Sequence, residues 1–408
     1  WSKAWWSMSE KPAVLDAALA PFMGASMRVS VVGNHLVLHD VPVVDAQRRL
    51  QLGRLVTTFI HTEAAVTPPA THQVWFDGPF PCYADGSPME PLRSSEVASG
   101  EVAPGVKARF YFSNKAPDFR AYASHWDQLM HYWRLITDQA RVIDPNCTVP
   151  AGAGSASVTP SDTPFRYPDA ASARANVMNT SQRLAQSRVP IVGLGGTGSY
   201  VLDHVAKTLV REIHLFDDDV FEAHNAFRAP GAAAEAAFGS TKVHYFATLY
   251  APMRTGLVEH PFRVDETNVE LLRAVDFVFV CVDKGPARKL ICSKLIEFEV
   301  PFVDCGMDLS LSKDEQIYGT CRATFCTPQK SNHFWGRAPT MDDAGDGLYD
   351  SNIQVSDANA MNALMAVMRW KQHLGFYAMP HAWHQFEYMI QSAGLARSDL
   401  VEDDVGEA

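Results

Sequence analysis

No apolar run in the chain approaches the roughly 18–20 residues that a helix needs to cross a bilayer, so the sequence offers no membrane span. Positive charge is also scarce. Against 46 Asp and Glu stand 35 Lys and Arg, a net charge of −11. That balance supplies no basic field to attract a phosphate backbone, which argues against nucleic acid as the main partner. Cysteine is sparse and irregular: the seven residues contain no C-x-x-C pair, a pattern that suits free thiols in a reducing cytoplasm. The opening residues, Trp1 to Trp6, are aromatic but have no apolar core behind them, so they do not read as a secretory signal. Residues 1–11 are expected to be a tail or an expression scar. What remains is an ordinary globular composition, 47% hydrophobic and 20% charged, on a chain long enough for two or three domains.

The informative stretch is Arg188–Asp219. Val189 to Val192 is a short apolar run that reads as a buried strand. Gly193-Leu194-Gly195-Gly196-Thr197-Gly198 follows and satisfies G-x-G-x-x-G. Ser199–Val210 then has helical periodicity, with Val201, Leu202, Val205 and Leu209 on one side. A second strand, Ile213–Phe216, ends in Asp217, Asp218 and Asp219. Strand, glycine turn, helix and acid-ended strand are the order a nucleotide-binding βαβ unit requires. Gly193, Gly195, Gly196 and Gly198 would let the backbone turn and approach a phosphate, and the helix N-terminus offers unpaired N–H groups to the anion. Asp217, about 20 residues past the last glycine, can accept hydrogen bonds from ribose hydroxyls.

Further on come Asn225-Ala226-Phe227-Arg228, then Gly239-Ser240-Thr241-Lys242, then a strand ending at Asp283. With these the chain resembles the ThiF-type adenylyltransferases, the superfamily of ubiquitin-activating and sulfur-carrier-activating enzymes. The resemblance rests on the glycine turn, Asp217 and Asp219, Asn225 and Arg228, Lys242, and Asp283, and covers roughly residues 174–376. It implies ATP with Mg²⁺, and adenylation of the C-terminal carboxylate of a ubiquitin-like or sulfur-carrier protein. In that chemistry charge builds on phosphoryl oxygens and must be met by fixed cations. The resemblance gives Arg228 and Lys242 the triphosphate, Asn225 a phosphate, Asp217 the ribose and Asp283 the Mg²⁺. It also suggests Arg174 as an arginine reaching the triphosphate across a homodimer, and Arg288 in support. Where relatives have Asn after the strand-end Asp, this chain has Lys284. Relatives also carry two C-x-x-C zinc pairs that are missing, so no zinc is expected. A thioester step would need a cysteine in or near the loop 326–349; Cys326 leads, ahead of Cys321 and Cys305. Alternatives are an NAD-dependent oxidoreductase, for which Arg228, Lys242 and Asp283 would be superfluous, a non-catalytic binding subunit, and a tRNA-modifying branch that the acidic charge disfavours.

The expected architecture is an α/β, Rossmann-like, doubly wound and mostly parallel sheet at 170–400, preceded by a smaller α+β domain at 12–144. Its strands are read at Arg263–Val264, Phe277–Val282, Pro301–Cys305 and Tyr318–Phe325. Its helices are read at Ala170–Arg188, Glu266–Ala274, Pro286–Phe298 and Ala358–Leu374. The Met361, Leu364, Met365 and Met368 stripe on the last helix reads as core. The proline-rich segment 145–169 reads as a linker, and 401–408 as an acidic tail. In the N-terminal domain a helix is expected at Val14–Phe22, paired strands over Met27–Leu38 around Gly33-Asn34, strands at Gln73–Phe76 and Ala108–Phe112, and a helix at Tyr122–Ala140. Gln51–Phe59 fits strand or helix. His72 and Cys82 could form a thiol–histidine pair; a metal site from His72, Cys82 and Asp85 would lack a fourth ligand at familiar spacing, and a turn at Asp85-Gly86 with a buried cysteine fits the same residues.

Overall fold

The computed structural model describes residues 13–61, 65–103, 105–115, 119–147, 155–159, 163–167, 169–175, 177–340, 353–380 and 382–398. The expected tails at 1–11 and 401–408, and much of 145–169, lie outside them. The chain divides into two compact units, Trp1–Asp162 with Tyr167–Asn179, and Thr163–Arg166 with Thr180–Ala408.

The first unit is α+β. Its elements are α1 (Ala13–Gly24), β1 (Arg28–Val32), β2 (His35–Val44), β3 (Leu50–Thr58), β4 (Val74–Asp77), β5 (Arg93–Ala103), β6 (Val106–Phe112), α2 (His125–Ile143), β7 (Ser155–Thr159) and α3 (Ala170–Arg174). A further short helix, α4 (Met178–Gln182), spans the division. The seven strands form one sheet in the order β5-β6-β4-β3-β2-β1-β7. The β1–β2 turn sits at Gly33, whose φ of +56° places it in the left-handed region. Gln51–Phe59 resolves as strand, with Leu55, Val56 and Thr57 all buried because β3 lies inside the sheet between β2 and β4. β5 was not evident in the sequence, and β7 corrects the linker reading: part of that segment pairs parallel with β1. Ser124 caps α2 by accepting from the Asp127 amide, as its position before an amphipathic run predicts. Leu129, Tyr132, Trp133 and Ile136 then pack with Val29, Leu38, Leu55 and Phe76.

Two histidines are enclosed in this unit. His125 Nε2 donates to the Thr58 carbonyl at 2.9 Å, and His35 lies edge-on to Trp75. Burial pushes both down to about 4. A histidine held neutral in the fold but free to protonate at its usual pKa when unfolded stabilises the fold above pH 6.5. That contribution is lost as pH falls from 6.5 towards 4, at about 1.4 kcal/mol per pH unit for each histidine. The thermal midpoint of this unit should therefore drop steeply over that window. The slope should flatten in His35→Phe and His125→Gln.

The second unit is α/β. It comprises β8 (Arg188–Val192), α5 (Gly196–Val205), β9 (Glu212–Phe216), α6 (Ala223–Ala226), α7 (Lys242–Tyr250), β10 (Leu257–His260), β11 (Val278–Val280), α8 (Gly285–Glu297), β12 (Phe302–Leu311), β13 (Ile317–Cys326), α9 (Ser356–His373), β14 (Gln385–Met389) and β15 (Gly394–Ser398). The strand order is β10-β9-β8-β11-β12-β13-β14-β15. The first five are parallel and the last three antiparallel. From β8 the chain steps first to β9 and β10 on one side, then returns to β11 and β12 on the other. The switch point between β8 and β11 is where such sheets bind ligands. Val189 and Ile191 face the layer of α5, α7 and α9, whereas Val192, Val278 and Val280 face that of α8. Burying each such side chain contributes about 1.5–3 kcal/mol.

Several boundaries differ from expectation. Ala170–Arg188 is two short helices rather than one, and Glu266–Ala274 yields only a 3₁₀ turn at Val269–Leu272. The strand assigned to Arg263–Val264 lies earlier, at β10, whose last residue, His260, pairs with Phe216 at the end of β9; Arg263 lies beyond it and pairs with Asp218. On α9 only part of the stripe is core: Met365 is buried, while Leu364 and Met368 are exposed. Among the described residues no helix is long and apolar enough to cross a membrane.

Candidate nucleotide site

The glycine turn is built by close approach. Gly193 has a φ of +92°, a conformation that strains any residue with a Cβ. A Cβ there would also lie 2.7 Å from the Cys281 carbonyl oxygen. The turn is therefore seated on the end of β11. Gly198 meets the Gly193 carbonyl where its own Cβ would be, which closes α5 onto the strand. Gly195 N-caps α5 without a side-chain acceptor, so the first amides of the helix are left for an anion.

The strand-end acids have distinct duties. Asp217 accepts from the Leu194 amide at 2.6 Å and the Asp219 amide at 2.9 Å, fixing the turn to the end of β9. Lys242, only 5% exposed, begins α7, where Thr241 caps the helix. Its Nζ lies 2.6 Å from Asp219 and 3.6 Å from Asp217. The same lysine leaves its two partners with opposite shifts. Asp217 is raised because burial outweighs the more distant lysine; Asp219 is lowered because its direct hydrogen bond to Lys242 outweighs a weaker desolvation. The three aspartates place oxygens within 4.8 Å of one another. Asp217 and Asp219 are held by Lys242 and Asp218 by Arg263, so this cluster is not an open metal seat.

Arg228 is half-buried, and its Nε is enclosed without a hydrogen-bond partner. Burial lowers its pKa, while the nearby charges of Asp283 and Asp219 act in the opposite direction. Asp283 itself is exposed at the end of β11. The fold thus brings the glycine turn, Lys242, Asp219, Arg228 and Asp283 to the same end of the parallel sheet. Asn225 differs from the expected phosphate contact, since its amide is used locally. Oδ1 accepts from the Glu222 amide at 2.9 Å, and Nδ2 lies 3.2 Å from His224 Nε2. Arg174 ends α3 in the first unit, and its side chain lies outside the described residues.

Beneath Asp283 is a buried network of which sequence reading named only Arg288. Asp304, 0% exposed, accepts from Arg288 Nε at 2.9 Å and from Arg322 at 2.7 Å. Arg288 also donates to the carbonyls of Val282 at 2.6 Å and Pro339 at 2.9 Å. Arg322 continues to Thr324, and Thr324 to Gln385. The available signal was an aspartate following the apolar pair Phe302-Val303 inside a strand, a position that demands a buried partner.

The cysteine expectations need correction. Cys326 is fully buried among Phe302, Phe334 and Val278, and burial pushes its thiol far above the usual range. Its thiol lies 3.9 Å from His333 Nε2, and that nitrogen also meets the Phe325 carbonyl at 3.0 Å. Cys321 is buried too and is pushed up to about 11. Neither suits a thiolate nucleophile. In the first unit, His72 bonds Ser113 at 2.7 Å, while burial, with Asp45 and Asp85 nearby, raises Cys82; no thiol–histidine pair forms. A cavity of about 560 Å³ borders Cys82. Its Arg49 and Arg93 are already paired with Asp45 and Glu90, and none of the residues gathered around the glycine turn line it.

A five-strand parallel core with a glycine turn at its switch point defines a Rossmann-type doubly wound domain. Residues 171–337 match the ThiF family and carry its domain; residues 19–170 match a domain of unknown function, DUF6791. Over 132 residues the chain is 30% identical to the adenylyltransferase and sulfurtransferase MOCS3 of Bos taurus, covering 32% of this chain and 29% of that protein. Over 125 residues it is 32% identical to the SAMP-activating enzyme E1 of Haloferax volcanii, covering 30% and 46%. The chain thus spans less than half the length of these curated relatives. Among solved structures, E. coli MccB with ATP is similar at 16% identity and a TM-score of 0.43, over 55% of this chain and 66% of that one.

Proposed function

We propose that the second unit binds ATP with Mg²⁺ and adenylates a carboxylate, the C-terminus of a ubiquitin-like or sulfur-carrier protein. The observation that carries this reading is Arg228, a cation with an enclosed, unbonded Nε, set with buried Lys242 at the glycine turn. Cations held this way in advance of ligand are what a polyphosphate needs. The carboxylate oxygen attacks the α-phosphorus, the bond to the β-phosphate oxygen breaks, and pyrophosphate leaves. Arg228 and Lys242 stabilise charge on the phosphoryl oxygens. Asp219, exposed at 65% of its side chain, is open to ribose hydroxyls, while Asp217 holds the turn. The exposed carboxylate of Asp283 is a hard oxygen donor of the kind Mg²⁺ takes. When bound, that ion would offset phosphate charge. With Cys326, Cys321 and Cys305 all buried, the acyl group passes from the adenylate directly to an external nucleophile. The partner protein and a homodimer belong to the same proposal.

Thermal stabilisation by Mg-ATP, compared with NAD⁺ and NADH, tests it. At a hundredfold excess over its dissociation constant, a ligand of the native state adds about 2.7 kcal/mol. Selective stabilisation by Mg-ATP, weakened in Arg228→Ala, is expected. Stabilisation by NAD⁺ alone would overturn the reading.

A further inference from the structure

A glycine beside a phosphate-binding helix is ordinarily explained by the ligand, since a side chain would obstruct the phosphate. Gly196 has a different neighbour. The space in which its Cβ would sit is occupied by the side-chain amide of Asn359, and Nδ2, Cγ and Oδ1 of that residue are the three nearest atoms. Its backbone is not in the left-handed region, so no conformational demand requires glycine there.

Asn359 lies on α9, far along the chain, and makes further contacts with the same turn of α5. Its Oδ1 accepts from Thr197 Oγ1 at 3.1 Å, and Thr197 Oγ1 in turn accepts from Asn362 Nδ2 at 3.3 Å. One helical turn on, Tyr200 OH and Ser356 Oγ are 2.5 Å apart. Asn359 and Asn362 are both essentially inaccessible. Each retains one enclosed polar atom without a partner, Nδ2 of Asn359 and Oδ1 of Asn362. A core this polar is less stable than an apolar one of the same shape, and unmet polar atoms in it call for a reason. Directional bonds fix a geometry in a way that apolar contacts do not. The element fixed here is the first turn of α5, whose amides are left for an anion.

We infer that Asn359, with Asn362 through Thr197, is the positioning element for the N-terminus of α5, and that Gly196 is glycine to admit Asn359 rather than to admit a phosphate. The role resting on nucleotide binding depends on the function proposed above; the packing role does not. α9 then belongs to the nucleotide site without touching the nucleotide.

Four proteins test this: native, Gly196→Ala, Asn359→Ala and the double variant, with Thr197→Val as a second route to the same loss. Asn359→Ala and Thr197→Val should each raise the dissociation constant for Mg-ATP about tenfold, the effect of a single lost interaction. In ATP–pyrophosphate exchange KM for ATP should rise while kcat stays within about twofold, a split that loss of stability alone does not produce. Gly196→Ala should lose binding and lower the thermal midpoint, and adding Asn359→Ala should restore much of both. Equal damage from Gly196→Ala in the two backgrounds would overturn the assignment of Gly196. An unchanged dissociation constant in both Asn359→Ala and Thr197→Val would overturn the positioning role. If native protein does not respond to Mg-ATP, the adenylation reading fails and the positioning of a nucleotide fails with it. The four midpoints then still decide the packing claim, which additivity would refute.

Discussion

Lys242→Met is expected to slow ATP–pyrophosphate exchange by about 10²–10³, the loss seen when one preorganised charge-stabilising donor is removed. Methionine keeps most of the buried stem, so the lost quantity is the charge. Lys242 is enclosed and its ammonium lies against Asp219 and Asp217. Without it, Asp219 and Asp217 face an incoming triphosphate without the ammonium that lies against them. The variant also has a stability signature with a definite sign. Asp217 is already raised by burial, and Lys242 is the main group opposing that rise. Removing the lysine raises Asp217 further. A carboxyl whose folded pKa exceeds its unfolded one favours the fold fully below the unfolded pKa and loses that contribution as pH rises through the folded pKa. The midpoint deficit of Lys242→Met relative to native protein should therefore be largest near neutrality and shrink on acidification. Comparison with native protein at each pH removes the histidine contribution of the first unit. A deficit that grew on acidification would rule out this account of Asp217.

The second large effect is structural. Asp304→Asn should destabilise the second unit by about 3–5 kcal/mol, the cost of leaving a buried charge uncompensated. For a unit of this size that lowers the midpoint by on the order of 10 °C. The substitution changes almost no volume, but it leaves Arg288 and Arg322, each nearly enclosed, without an anion between them. Mechanism is separable from simple loss of a contact. Arg322→Met in the Asp304→Asn background removes one of the stranded cations, so the double variant should be more stable than Asp304→Asn alone. Additive damage would show that hydrogen-bond geometry, not charge, dominates. Because Arg288 also holds the Val282 carbonyl, nucleotide binding should weaken in parallel through displacement of Asp283.

The elements legible in the sequence were those whose signal is local. The strand–turn–helix from Arg188, the acid-ended β9 and the helices α1, α2, α8 and α9 follow from periodicity and from turn residues. The order Asn225, Arg228, Lys242, Asp283 was legible as a pattern, and the fold brings Arg228, Lys242 and Asp283 to one end of the sheet. Asn225 departs because a neighbouring backbone amide, at Glu222, competes for its side chain. Cys326 departs because its position at a strand end says nothing about what covers it; Phe302 and Phe334 do. β5, β7, β14 and β15 were missed since edge and hairpin strands carry weak alternation and are defined by their partners.

Sequence by itself determined the chemistry on offer: a glycine turn, two cations and strand-end carboxylates in a fixed order, on a chain with the apolar periodicity of a doubly wound sheet. Only the tertiary structure decided how each group is spent. Asp217 holds a turn, Asp304 lies between two arginines, Gly196 receives Asn359, and Cys326 is sealed in the core. These outcomes depend on burial and on contacts between residues up to 163 positions apart, as with Gly196 and Asn359. Such neighbours are set by strand order and helix packing, which spacing along the chain does not encode.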